Sequence, residues 1–368
     1  MGRQREAPAH AALWGSDCDS SCKNPAPDDM IGNRTDPRGV EDMATLEDVA
    51  ARAGVTVTTV SRMLNGKVPV SPKTRGKIEE AMRALNYHPN ELARSLAKQR
   101  SNLIGLMVPS AKQYFFAELI QEAEDAVAAQ GCQLLLCVSD KELHKERAYY
   151  QMLLGDRVRG IIVASYSLGF DKIAHHGAPL FYIERKSGDG TPCALMDSLQ
   201  GGRLAGEHLI GKGCRRLLYL SGNASKNSVS RERYEGFCAA CAENGIDKPV
   251  LKEAGWDEFV ALDYERTVEE LFRDYPETDG ILASNDLIAA TVLRYALRRG
   301  IKVPEKLKIV GYDDTTFASL CPMGLTTIHQ PIAEIAAFAV DSIIRRAEGE
   351  EVPAETVFPV RLVERETT

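Results

Sequence analysis

A small all-α headpiece followed by an α/β core of two doubly wound parallel-sheet lobes is the architecture this sequence predicts, on three observations. From Thr45 to Ala97 the pattern is helical and closely punctuated by capping residues. From Asn102 onward, short continuous apolar runs alternate with amphipathic helical stretches, the texture of parallel strands covered on both faces. That alternation lasts more than 250 residues, which exceeds what one hydrophobic core serves comfortably, so two sheets are expected rather than one. The chain has 368 residues, 44% of them hydrophobic, ample for such cores.

Residues 1–43 are rich in Asp, Pro, Ser and Gly and read as a disordered extension. They hold no apolar stretch between a basic start and a small-residue cleavage site, so a secretory signal is not expected; Met43 is an expected alternative start. Residues 44–89 form the first domain. Thr45, with Asp48 three residues on, caps one helix; Thr56 caps a second; Ser71, followed by Pro72, caps a third. Gly54 leaves only a tight turn between the first two, where a positive φ is wanted, and Asn65-Gly66 ends the second. Val49, Val55, Val60 and Leu64 recur at spacings that pack the helices together, and small Ala50 lets them cross closely. The run TLEDVAARAGVTVTTVSRMLNG is therefore a helix-turn-helix whose second helix projects Val57, Thr58, Ser61 and Arg62 outward. Short polar or methyl-bearing groups beside one long cation suit base edges and phosphates in a major groove.

Residues 90–101 read as a connector in which Asn90 caps a short helix, ELARSLA. Seven residues are too few for a helix to persist alone, because nucleation is costly. The core, 102–368, carries strands expected at 104–108, 133–138, 160–165, 179–184, 217–222, 280–284 and 308–313. Helices are expected near 116–130, 142–155, 201–211, 231–244, 286–299 and 332–347. Lobe one takes about 102–199 and 331–352, and lobe two about 200–329 and 353–368. In sheets of this kind ligands bind at the C-terminal strand ends.

The net charge is −7, but between Thr45 and Arg100 ten Lys and Arg face five Asp and Glu, a local +5 on a body of −12. A compact basic module on an acidic body suits a polyanion such as DNA. Nine scattered cysteines show no disulfide framework and fit a reduced, cytoplasmic setting. Cys238 with Cys241, and Cys18 with Cys22, read as incidental thiols, so no metal or other cofactor is expected. No run of 18 apolar residues offers a membrane span. Phosphate-binding glycine loops, a G-x-S-x-G elbow and H-E-x-x-H are all absent, and the adjacent pairs His175-His176 and Asp313-Asp314 would point to opposite faces of a strand. Catalysis has no candidate residues.

The stretch from Thr45 to Pro109 resembles the headpiece of the lactose-repressor (LacI/GalR) family. The family pattern T-x-x-D-V-A-x-x-A-G-V-S-x-x-T-V-S-R-x-L-N stands here as TLEDVAARAGVTVTTVSRMLN, with Thr56 for the usual Ser, and NYHPNELARSLAKQRSNLIGLMVP is similar to the family's hinge and first core strand. The likeness covers about nine tenths of the chain. It implies a ligand-controlled transcriptional repressor, not an enzyme: a homodimer on palindromic double-stranded operator DNA, with a small-molecule effector between two lobes of a periplasmic-binding-protein-like core. Val57 and Thr58 then take base-reading positions, with Arg62 and Asn65 beside them, and Thr45, Leu46, Thr56, Ser61, Ser71, Thr74 and Tyr87 complete the headpiece contacts. In the family the hinge helix orders on DNA, and a Leu from each subunit wedges into the minor groove; Leu96 holds that position, with Asn90 and Ala93 as neighbours.

By the same resemblance, Phe116, Glu184, Arg233, Trp256, Asn285, Asp313 and Gln330 line the effector pocket. Their chemistry suits a carbohydrate, with Arg and carboxylates for adjacent hydroxyls and aromatic faces for a sugar ring. Glu184 departs from the usual Asp and is followed by Arg185. The C-terminal VRLVERETT is similar to sucrose-responsive and other sugar-responsive members. A phosphosugar, a nucleobase or a phosphorylated partner protein are the alternatives to a plain sugar. Most of the seven also fall at expected strand ends, an agreement that does not depend on the family.

Overall fold

The computed structural model describes residues 44–65, 70–87, 101–140, 142–165, 177–186, 188, 190–222 and 228–368. The expected extension 1–43 and the hinge segment with Asn90, Ala93 and Leu96 lie outside them. The chain divides into two compact units after Pro89.

In the first unit, α1 (Leu46–Ala53), α2 (Val57–Asn65) and α3 (Pro72–Ala84) surround a core of Val49, Ala50, Ala53, Val60, Ile78 and Ala81. The punctuation read from the sequence acts as anticipated. The Thr45 hydroxyl accepts from the Asp48 N–H at 3.2 Å while Asp48 Oδ2 accepts from the Thr45 N–H at 2.8 Å, a reciprocal cap. Thr56 and Ser71 accept from the N–H groups of Thr59 and Thr74, each at 3.2 Å. Gly54 turns the chain between α1 and α2 at φ +66°.

The second unit runs β1 (Leu103–Val108), α4 (Tyr114–Ala129), β2 (Gln133–Val138), α5 (Leu143–Gly155), β3 (Gly160–Val163), β4 (Leu180–Ile183), β5 (Cys193–Met196) and α6 (Ser198–Gly211). It continues with β6 (Leu217–Ser221), α7 (Ser228–Glu243), β7 (Val250–Glu253), α8 (Trp256–Ala261), α9 (Glu265–Asp274), β8 (Gly280–Ala283) and α10 (Asp286–Arg298). It closes with β9 (Lys308–Asp313), α11 (Thr316–Leu320), β10 (Thr326–His329), α12 (Ile332–Ala347), β11 (Glu355–Phe358) and β12 (Arg361–Val363).

Two six-stranded sheets result, ordered β11-β5-β4-β3-β1-β2 and β12-β10-β9-β8-β6-β7. Every pairing is parallel except β10 with β12. Each sheet reverses its winding once, between β1 and β3 in the first and between β6 and β8 in the second. These are the crevices where doubly wound sheets hold ligands.

The end of the chain departs from the expected lobe boundary. The sequence pattern places residues 353–368 in lobe two, yet β11 lies parallel to β5 in the first sheet, and only β12 joins the second. The chain therefore crosses at residues 359–360. Phe358 explains the difference, because its ring meets Phe338 of α12 edge-on at 5.6 Å, in the first lobe's core. The strands β5, β7, β10, β11 and β12 and the helices α8, α9 and α11 add to the elements expected from the sequence.

Two glycines let α6 and α7 approach unusually closely. A Cβ on Gly202 would sit 1.8 Å from the Arg233 carbonyl oxygen, and one on Gly236 would sit 1.9 Å from that of Leu199. Backbone against backbone, neither clash can be relieved by a side-chain rotation. This contact fixes where α7 presents Arg233.

Candidate functional site

On the headpiece, Val57, Thr58 and Arg62 are exposed along one face of α2, with Ser61 half-buried beside them. Leu46 and Tyr87 pack against the headpiece core, and Thr74 is half-buried next to its cap Ser71. Asn65 ends α2, and its side chain is outside the described residues.

In the core, six of the seven expected effector residues line one cavity between the two sheets: Phe116, Glu184, Arg233, Asn285, Asp313 and Gln330. The turn before α4, the residues just past β3 and β4, and those after β6, β8, β9 and β10 all contribute, so the walls are C-terminal strand ends. Trp256 is the exception. It sits at the start of α8, is 50% exposed and is absent from the lining; its ring lies 5.5 Å from Phe259, one turn on, which does face the cavity. The family resemblance supplied Trp256, whereas on this short helix it is Phe259, one turn on, that lines the cavity.

Arg233 is the hub. Its Nη1 donates to the Ser284 carbonyl at 2.7 Å, its Nη2 reaches Gln330 Oε1 at 3.4 Å, and its guanidinium stacks over the Tyr312 ring at 3.6 Å. Its Nε–H is buried with no hydrogen-bond partner among the described residues. Burial works against this cation, but Tyr312, Asp313, Tyr219 and Glu184 outweigh it and raise its pKa. Asp313 accepts from Gln330 Nε2 at 2.6 Å, so Gln330 bridges the two charges. The carboxyl of Asp313 is held well above the usual range by burial and by Asp286 nearby.

Asp286, unanticipated from the sequence, also lines the cavity; Thr327 Oγ1 donates to it at 2.6 Å and the Thr315 N–H at 3.2 Å. Burial pushes its pKa up as well. Its neighbour Asn285 caps α10, accepting from the Ile288 N–H at 2.8 Å, and lines the cavity at the same time. Glu184 is pushed up to about 7 by burial, opposed by Arg233 and by the Met196 N–H that donates to it. Both Glu184 and Asp313 sit at positive φ, +58° and +120°, as does Asp314 at +57°. Strained backbone at three acidic strand-end positions marks a place where side-chain direction has been kept at a conformational cost.

Further lining residues absent from the sequence reading are Ser230, Phe259, Leu262 and Ser284. Ser284 and Asp286 flank Asn285 in S-N-D at the end of β8, so the strand-end rule alone could have found them. Ser230 and Phe259 lie within helices and carry no such signal. Among the described residues no group of three or more His, Cys, Asp and Glu could hold a metal ion, and no helix is long and apolar enough to cross a membrane. Seven described cysteines are free thiols.

A helix-turn-helix unit joined to a two-lobed α/β core with a buried polar cleft defines a ligand-gated DNA-binding regulator. Residues 45–90 match the bacterial regulatory proteins of the lacI family, and residues 207–368 match a periplasmic binding protein-like domain. The ribose operon repressor of Bacillus subtilis (strain 168) is 38% identical over 328 residues, 89% of this chain and 99% of that protein. The Lac repressor dimer bound to operator and the anti-inducer ONPF superposes with a TM-score of 0.78 at 28% identity, covering 89% of this chain and 99% of that one. A periplasmic binding protein/LacI transcriptional regulator from Alkaliphilus metalliredigens QYMF, complexed with D-xylulofuranose, is 31% identical with a TM-score of 0.64, over 73% of this chain and 99% of its own. The chain belongs to the LacI family of bacterial transcriptional regulators.

Proposed function

We propose that this chain is a cytoplasmic repressor that binds a palindromic operator as a homodimer and releases or tightens its hold when a neutral sugar fills the cavity between its lobes. One headpiece has a small footprint, and paired recognition helices read two half-sites. Val57, Thr58, Ser61 and Arg62 face the major groove, with the Leu96 pair as the minor-groove wedge carried over from the family pattern. The relatives named above, a ribose operon repressor, a regulator holding D-xylulofuranose and an operator-bound repressor, support both halves of this reading.

The observation that carries the effector assignment is the polar balance of the cavity. Among the described residues Arg233 is the sole cation of the lining, it shares the cavity with Glu184, Asp286 and Asp313, and its Nε–H lacks a partner. An orphaned buried donor calls for an acceptor from a ligand. A ligand with its own negative charge would meet one cation that already donates to the Ser284 carbonyl and stacks on Tyr312, so the phosphosugar alternative is disfavoured. A neutral polyol can accept from Arg233 and donate to the acids through the same hydroxyls. Phe116 and Phe259 supply apolar surface for the ring's C–H face.

Control follows from differential affinity for two lobe arrangements, which alters the free energy of ordering the connectors on DNA. Binding involves no turnover. A thermal-shift screen of free sugars tests this reading: at least one should raise the melting temperature, and Arg233→Ala should abolish the rise. A set of hits indifferent to Arg233→Ala and Asp313→Asn would place the effector elsewhere.

A further inference from the structure

Tyr114, Leu262 and Leu287 line both the effector cavity and a second, open groove. The groove continues over Phe317 and Leu320, which is 76% exposed, to a rim where Arg294 and Arg298 pair with Glu265. Tyr114 opens α4 in the first lobe, whereas Phe317 belongs to α11 in the second. Their rings stack with centroids 4.2 Å apart and planes 8° from parallel. One turn along α4, Glu118 Oε1 accepts from the Thr316 N–H at 2.6 Å, so a first-lobe carboxylate caps the second lobe's short helix. The stack is thus assembled from both lobes and pinned on one side by a charge-assisted hydrogen bond.

We propose that the Tyr114–Phe317 stack is an end wall that sets the length of ligand the cavity accepts, restricting it to a single sugar ring. This rests on the sugar assignment above. The groove behind the wall has the chemistry of a second ring site, aromatic and aliphatic surface with polar groups at its rim. Removing the Tyr114 ring joins the two spaces, and a glycoside whose aryl group was excluded can then extend into the groove. Tyr114 is 41% exposed and lies outside the buried core clusters, so its loss leaves the core intact.

The test is calorimetric titration of the full chain with D-ribose, D-xylose, D-glucose and D-galactose, and with the α- and β-p-nitrophenyl glycosides of each. The unaltered protein should bind at least one free sugar about tenfold or more tightly than either of its glycosides. Tyr114→Ala should reduce or reverse that preference by about tenfold, Phe317→Ala should do so in the same direction, and Tyr114→Phe should keep it. A preference unchanged in both alanine variants, with the free sugar still bound, overturns the wall while leaving the sugar assignment standing. Failure of the unaltered protein to bind any of these compounds overturns the sugar assignment and the wall with it. Thermal denaturation of each variant establishes that it is folded.

Discussion

Arg233 keeps its charge where water is largely excluded, and the carboxyls around it are pushed toward their neutral forms. Charge-assisted bonds to such a group are each worth about 1.5–3 kcal/mol, so Arg233→Ala should weaken sugar binding by about 100-fold, measured by calorimetry. Glu184 gives a pH signature. Its carboxyl moves from 4.5 to about 7 on folding, so between those values the folded chain holds more protons than the unfolded one. The stability this contributes is present below pH 4.5 and is lost as pH rises through 7. A sugar hydroxyl donates best to the ionised form. Binding should therefore strengthen from pH 5 to pH 8, by at most about tenfold per pH unit, with proton release, and Glu184→Gln should flatten the profile. Invariant affinity across that range would remove Glu184 from the contact set. Six of these positions were legible because strand ends in an α/β sheet converge and the family pattern named the residues. Asp286 was hidden by looking like an ordinary first-turn acid, and Phe259 by lying in a six-residue helix too short to show an inward face.

The headpiece helices were the most legible elements, since each begins at a side chain that can satisfy its own first-turn N–H groups. Thr45→Ala removes the hydroxyl that accepts from the Asp48 N–H, leaving only the backbone arm of the reciprocal cap, and should cost the headpiece about 1 kcal/mol in urea denaturation. The α6/α7 contact was not legible, because a glycine in a helical stretch reads as a weak helix former rather than as a place of close approach. Gly202→Ala puts a methyl 1.8 Å from the Arg233 carbonyl oxygen. The predicted loss is about 3 kcal/mol, with weaker sugar binding because α7 must move. An unaffected melting temperature would mean the helices are less tightly held than their spacing implies. β11 and β12 escaped notice for a related reason. Glu355–Phe358 alternates exposed and half-buried residues in a stretch too short to display a period, and nothing local says which sheet a strand will join.

Two lobes and a headpiece were foreseeable from charge asymmetry, capping and strand-helix alternation; the choice of effector was not, since it depends on which side chains converge. The proposed coupling needs the effector to distinguish two lobe arrangements by about 1–3 kcal/mol. It also needs Leu96 to convert hinge order into affinity: Leu96→Ala should lower specific operator binding by about 100-fold while leaving sugar binding intact, by anisotropy and calorimetry together. The most direct measurement is the affinity for the palindrome beside its own gene and for a random duplex, by fluorescence anisotropy at one salt concentration, with and without the sugar that stabilises the protein. The expected result is specific binding about a thousandfold or more tighter than random, moved about 5- to 150-fold by the sugar. Equal affinity for the two duplexes, or a sugar that demonstrably occupies the cavity and leaves operator affinity unmoved, would contradict it.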